Sequence, residues 1–178
     1  MVKTITVYCA SSSNIDEAYF NAARELGRLM AQCGVTLVTG SGKMGLMGAV
    51  NDGAIEQGGH TIGVIPRFMF ERQWQHPGLS ELIVTDDMHR RKETMASLAD
   101  AVIALPGGVG TFEELLEIIT WRKLGLFDGQ IIILNTLGYY NPLLQMLHDS
   151  ASKGFMRNLD LGLWKVAETP QQAIEMLV

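Results

Sequence analysis

The sequence predicts an α/β fold: a doubly wound parallel sheet in a three-layer α/β/α arrangement, built as a single domain over residues 1–178. Three observations lead there. Short apolar runs, such as Ala101 to Leu105 and Ile131 to Leu134, alternate with amphipathic stretches along the chain. Strands buried on both faces, with helices returning between them, produce that pattern. The glycine-rich turns follow the apolar runs, on the side where such sheets bind ligands. Finally, 178 residues that are 47% hydrophobic suffice for one full core.

Ile5-Thr6-Val7-Tyr8-Cys9 reads as the first strand, and Ala10-Ser11-Ser12-Ser13-Asn14 as a small polar turn. Asp16 or Asn14 caps a helix that runs to Gln32, with Tyr19, Ala23, Leu26, Leu29 and Met30 facing inward and Gly34 as its stop. Val35 to Val38 is a second strand, ending in Thr39-Gly40-Ser41-Gly42-Lys43-Met44-Gly45, and a helix follows from about Leu46 to Glu56. Thr61 to Ile65 is the third strand, stopped by Pro66. From Arg67 to Ser80 the periodicity lapses into a loop or short helix rich in aromatic and polar groups. A long loop in a compact domain is commonly a functional lid.

Leu82-Ile83-Val84 is a short fourth strand, after which Asp87 or Asp86 caps a helix carrying Met88, Arg91, Lys92 and Met95. Ala101 to Leu105 is the fifth strand, and Phe112 to Trp121 shows helical spacing through Phe112, Leu115, Leu116 and Ile119. Ile131 to Leu134 is the sixth strand. A helix from Asn141 to Ser152 follows the Gly138-Tyr139-Tyr140 turn. Trp164 to Val166 reads as an edge strand and Pro170 to Leu177 as a closing helix, while the stretch after Phe155 is weakly patterned.

A net charge of −5 argues against a general nucleic-acid surface. Cys9 and Cys33 lie in apolar contexts without metal-ligand spacing, which predicts buried reduced thiols. The first residues enter a strand without a signal-peptide apolar region, and no apolar stretch approaches the ~20 residues of a membrane span. The expectation is a cytoplasmic protein.

The central motif is Leu105-Pro106-Gly107-Gly108-Val109-Gly110-Thr111-Phe112-Glu113-Glu114, a glycine turn between strand and helix. Such a turn leaves backbone N–H groups free at the positive end of a helix dipole, which suits a phosphate. A plainer reading makes Thr111 the N-cap and Glu114 its capping-box partner. If the turn does hold phosphate, the carboxylates beyond it need cations nearby, and Arg91 and Lys92 are on offer. Those two share a helical face with Met88 and Met95, though side chains snorkelling from a partly buried face would give the same spacing. His89 reads as a surface residue, and Met44, Met47, Trp121 and Leu124 as core or subunit-interface positions.

Gly40-x-Gly42-x-x-Gly45 matches a dinucleotide fingerprint, but it follows the second strand, and the third strand ends without an acidic residue for a ribose hydroxyl. Tight-turn geometry, or a second phosphate or ribose loop, accounts for it better. Gly42-Lys43 also lacks the surroundings of a triphosphate-binding loop.

Pro106-Gly107-Gly108-x-Gly110-Thr111-x-x-Glu114, with Met88-x-x-Arg91-Lys92 upstream, resembles the Lonely Guy family of phosphoribohydrolases, whose members are often labelled lysine decarboxylases. The likeness extends through Gly45-Leu46-Met47-Gly48, Ile62 to Pro66, Ile119-Thr120-Trp121 and Gly138-Tyr139-Tyr140-Asn141, covering roughly residues 3 to 157. It implies a Rossmann-like fold and a homodimer with its active site near the subunit interface. It further implies no metal or organic cofactor, and cleavage of the N-glycosidic bond of a nucleoside 5′-monophosphate such as a cytokinin riboside monophosphate or AMP.

By the same resemblance, Arg91 and Glu114 match the catalytic pair. Lys92, Thr120 and the run Gly107, Gly108, Val109, Gly110, Thr111, Phe112 and Glu113 match substrate-contacting positions. Gly42, Gly45 and Ser12, on turns at the same sheet edge, join the substrate-binding candidates. Two departures stand out. Gly40-Ser41-Gly42 replaces the usual triple glycine, and Gln73 occupies the position of a lid Glu, with Glu71 two residues away. Two rivals remain. A decarboxylase would need pyridoxal phosphate on a lysine, with Lys92 the one suggestive candidate. A non-catalytic nucleotide or molybdopterin-type carrier would need only the glycine turns.

Overall fold

A computed structural model describes residues 2–178, so Met1 of the expected domain lies outside it. Seven parallel strands form one sheet: β1 (Thr4–Tyr8), β2 (Thr36–Thr39), β3 (Thr61–Pro66), β4 (Glu81–Thr85), β5 (Ala101–Ala104), β6 (Gln130–Leu134) and β7 (Lys165–Ala167). Their spatial order is β4-β3-β2-β1-β5-β6-β7. The chain winds outward from β1 in one direction, then returns to β1's other side at β5. The turns after β1 and β5 therefore diverge and leave a crevice between them.

The helices are α1 (Glu17–Gln32), α2 (Gly45–Glu56), α3 (Arg67–Phe70), α4 (Met88–Ser97), α5 (Val109–Lys123), α6 (Asn141–Ser152) and α7 (Pro170–Glu175). Strand residues alternate between two cores. Ile5 and Val7 pack with α1, α2 and α7, whereas Tyr8 and Val102 pack with α4, α5 and α6. Helices α1 and α2 approach closely because each offers a glycine: a Cβ on Gly27 would collide with the Val50 carbonyl oxygen, and one on Gly53 with that of Arg24.

Capping follows the expected chemistry at α1, where Asp16 accepts from Ala18 N–H, and at α4, where Asp87 accepts from Arg90 N–H. Helix α5 differs. It starts at Val109, three residues before the first apolar residue of its periodic face, and its N-cap is Gly108 with no side-chain cap. Thr111 is thus the third helical residue, and the capping box with Glu114 does not form. Cys9 is buried as expected, but Cys33 caps α1 and is exposed. Trp164 precedes β7 rather than opening it, and packs into the second core.

The weakly patterned stretch after Phe155 holds a short 3-10 helix, Asn158–Leu163. Its Asp160 is fully buried and ion-paired with Arg157 at 2.6 Å and with Lys123, the last residue of α5, at 2.9 Å. Those two cations hold its carboxyl far below the usual range. Among the described residues no helix is long and apolar enough to cross a membrane.

Candidate active site

The carboxyl ends of β1, β2, β3 and β5 open on a cavity of about 600 Å³. Its turns are lashed together by backbone: Ala10 N–H donates to the Pro106 carbonyl at 3.1 Å, and Met47 N–H to the Ala10 carbonyl at 3.2 Å. Gly45 makes the second contact possible. Its φ is +63°, and a Cβ there would come within 2.5 Å of the Ser11 carbonyl carbon. Ser12 and Gly42 line the cavity, whereas Gly45 supports its wall from behind.

The N–H groups of Gly107 through Thr111 donate to no acceptor among the described residues. A row of unused donors at a helix N-terminus is a ready anion site. Gly108, Gly110 and Thr111 face the cavity, and a Cβ added at Gly108 or Gly110 would meet nothing within 4 Å. Gly107 is buried behind them, where its missing side chain makes room for that of Thr111. Val109 is 83% exposed and points away from the cavity wall.

Arg91 and Glu114 meet at the floor. Arg91 Nη1 donates to Glu114 Oε1 at 2.9 Å and Nε to the Val64 carbonyl at 3.4 Å, with each residue only 7% exposed. The arginine does not snorkel; it lies where Gly40 has no side chain, and an added Cβ there would collide with Nη2. Burial pushes the Glu114 carboxyl up, against the opposing pull of the Arg91 charge and hydrogen bond, and the net direction is upward. A poised, buried carboxylate beside an anion site is a common feature of catalytic centres.

Lys92 is equally buried but faces outside the cavity, donating to Glu113 at 2.7 Å and Glu117 at 3.1 Å. Burial alone would lower its ammonium, yet the hydrogen bonds to the two carboxylates leave it raised. Held in those ion pairs, Lys92 is placed neither to reach a ligand in the cavity nor to lose the proton a Schiff base requires. Glu113, whose side chain is 58% exposed, lies off the cavity on the same outer face. Thr120 spends its hydroxyl on the Leu116 carbonyl at 2.8 Å and is exposed, and Phe112 stacks near Tyr139 behind the turn. Within one protomer, then, Arg91, Glu114, Gly108, Gly110, Thr111, Gly42 and Ser12 come together, while Lys92, Glu113, Val109, Phe112 and Thr120 do not line the space.

The rest of the lining is largely apolar. Met44, Met47, Met69, Met88, Ile65 and Trp74 belong to it, and flexible thioethers suit a variable flat ligand. Met44 is therefore an exposed cavity residue rather than core, and Met47 belongs to both, its sulfur accepting from Gly42 N–H at 2.9 Å. Met69 and Trp74 come from the aperiodic Arg67–Ser80 stretch, which closes over the cavity through three bonds. Lys43 Nζ donates to the Gln73 carbonyl at 2.8 Å, Lys43 N–H to the Trp74 carbonyl at 3.2 Å, and His76 N–H to the Ser41 carbonyl at 2.7 Å. Neither Gln73 nor Glu71 lines the cavity. The clustering of Phe68, Phe70 and Trp74 in a segment without a core-facing period is the one sequence signal for this wall.

With this geometry in place, comparison with known proteins is informative. A family described as "Possible lysine decarboxylase" matches residues 47–177. The probable cytokinin riboside 5′-monophosphate phosphoribohydrolase LOGL2 of Oryza sativa subsp. japonica is 42% identical over 98% of this chain and 72% of its own length. A cytokinin riboside 5′-monophosphate phosphoribohydrolase of Rhodococcoides fascians is 43% identical over 86% of this chain and 78% of its own. Among solved structures, the molybdenum cofactor carrier protein of Chlamydomonas reinhardtii superposes with a TM-score of 0.77 at 26% identity, covering 99% of this chain and 96% of that one. Fold alone thus joins carriers and hydrolases, whereas sequence identity over nearly the whole length separates them. On that ground the chain belongs to the LOG family of cytokinin riboside 5′-monophosphate phosphoribohydrolases.

Proposed function

We propose that this protein hydrolyses the N-glycosidic bond of nucleoside 5′-monophosphates, cytokinin riboside 5′-monophosphates and AMP among them, to free base and ribose 5-phosphate. One observation supports it above others: a buried carboxylate, Glu114, held by Arg91 one helical turn beyond a row of unused N–H donors. Glycosidic cleavage develops positive charge on the sugar, so a carboxylate beside C1′ stabilises the transition state and takes a proton from the attacking water. The departing base leaves with its bonding electrons and takes up a proton from solvent, while Glu114 afterwards returns to solvent the one it took from the water. The phosphate rests on Gly108 to Thr111, so binding far from the reacting bond orients the ribose over Glu114. The base lies against the methionine and Trp74 wall. Arg91 keeps Glu114 oriented, and its charge opposes the upward push of burial on that carboxyl.

Glu114→Gln tests the assignment. Turnover of AMP should fall by roughly 10³-fold with binding changed little, as measured by chromatography of released adenine and by calorimetric titration. Near-full activity in that variant would remove Glu114 from the chemistry. Adenosine, lacking the phosphate anchor, should scarcely react.

The whole chain works as one nucleotide-binding domain, and as a homodimer. Val109, Leu116 and Leu124 form an exposed apolar stripe on the outer face of α5. Glu113 and Thr120 lie along the same stripe, so a second copy seated there would bring these substrate-contacting candidates of the family to an interface next to the cavity. A cytoplasmic setting fits the unpaired thiols of Cys9 and Cys33.

A further inference from the structure

The Gly138-Tyr139-Tyr140-Asn141 segment plays no part in the mechanism above, yet it is held in place at some cost. Leu137 and Gly138 both adopt left-handed backbone, with φ of +55° and +71°, which is strained for leucine. Buried Asn135 braces the turn, donating to Asn141 Oδ1 at 2.9 Å and accepting from Tyr140 N–H at 2.8 Å. The result is that two adjacent phenols reach the back of the anion turn. Tyr139 Oη donates to the Gly107 carbonyl at 2.5 Å and Tyr140 Oη to the Leu105 carbonyl at 2.7 Å. Between them, the Pro106 carbonyl takes the Ala10 N–H.

The Leu105 and Gly107 carbonyls are thus fixed by phenols outside the cavity lining, and the Pro106 carbonyl by the Ala10 N–H of the neighbouring turn. In a planar trans peptide the C=O and the following N–H point in opposite directions, so fixing one aims the other. The Gly107 carbonyl shares its peptide with the Gly108 N–H, a donor lining the cavity. The Leu105 carbonyl shares its peptide with Pro106, which has no N–H to aim. We infer that Tyr139 is a positioning residue for the phosphate: by holding the Gly107–Gly108 peptide it sets the affinity of the anion turn, whereas neighbouring Tyr140 serves the fold alone.

This inference rests on reading that turn as the phosphate site, and the experiment separates the two. Tyr139 is partly exposed, and Tyr139→Phe keeps its ring against Tyr19, Phe112 and Tyr140, so the fold should survive. Expected for Tyr139→Phe is an increase of about tenfold in KM for AMP and in Kd for ribose 5-phosphate, with kcat within about twofold and the melting temperature within about 2 °C of wild type. Tyr140→Phe should show the reverse: a lower melting temperature and an unchanged Kd for ribose 5-phosphate. If wild type binds ribose 5-phosphate and Tyr139→Phe binds it equally well, or if kcat falls while KM stays, the role given to Tyr139 is wrong and the phosphate site stands. If wild type itself binds no ribose 5-phosphate, the phosphate site falls, and this inference with it.

Discussion

Two glycine turns flank the cavity, and their glycines are there for opposite reasons. In the turn after β2, protein atoms occupy the space a side chain would take: the Arg91 guanidinium at Gly40 and the Ser11–Ser12 backbone at Gly45. At the start of α5, Gly107 is packed against the Thr111 side chain, but Gly108 at the N-cap and Gly110 in the first turn face open space. The first turn is packed so that the Arg91 side chain and a neighbouring loop fit; the second is left open towards the cavity. A fingerprint read as letters cannot tell these apart. What distinguishes them is whether an added methyl group would strike the protein or the substrate.

That distinction can be broken or sharpened by adding the methyl group. Gly45→Ala should have the largest effect, since it meets both a left-handed φ and the Ser11 backbone. A loss of roughly 3 kcal/mol, read by denaturant unfolding, is expected. Gly40→Ala should fold but drive Arg91 off Glu114, lowering kcat about 100-fold. Because Arg91 opposes the upward push of burial on Glu114, its displacement should move the acid limb of the pH–rate profile to higher pH. Gly40→Ala combined with Arg91→Lys should then lose no more than Arg91→Lys alone; full additivity would show that Gly40 acts otherwise.

Gly110→Ala comes next. It should weaken phosphate binding about tenfold while leaving stability unchanged or up by less than ~1 kcal/mol, because alanine is the better helix former. A melting curve and a KM measured on the same preparation decide it. The smallest change is expected at Ser41, which holds φ of +67° and buries a hydroxyl with no partner among the described residues. Ser41→Gly relieves both and should stabilise by about 1 kcal/mol, net of the extra chain entropy of glycine.

The Glu114 carboxyl also links stability to pH. Its folded-state pKa is raised by burial above the unfolded value, so stability should decline as pH rises from the ordinary carboxylate range through the raised one. Glu114→Gln should remove that slope. Asp160 has the opposite sign: its lowered pKa adds stability above the ordinary carboxylate range, and that stability is lost as acid protonates it.

The apolar pattern locates every strand to within two residues, most plainly the inner strands, which are buried on both faces and read as continuous apolar runs. The start of α5 escapes it for a physical reason. Threonine is a good N-cap in isolation, but here a glycine caps with backbone alone and leaves the first donors unspent. Arg91 and Glu114 are legible as a pair through the family resemblance; the pattern itself shows only an arginine set among methionines on one helical face, where a buried charge needs a partner. Glu113 and Lys92 enter as candidates through the family resemblance, and they stand outside the cavity lining; spacing alone cannot tell the cavity side of a helix from its outer side. The roles of Gly40 and Tyr139 depend on contacts 51 and 32 residues away in sequence, and local pattern carries no trace of them.

Helix α5 is anchored at both ends, and its far anchor lies in a part of the chain that touches no substrate. Lys123 is tied down by Asp160, which belongs to the 3-10 segment near the C-terminus. A chain cut after Phe155 would keep every residue of the cavity and lose the moorings of the helix that carries Glu114. Ordinary-looking tail sequence is in this way part of the cavity's geometry, and its loss would surface as a loosened Glu114 at the other end of the rod.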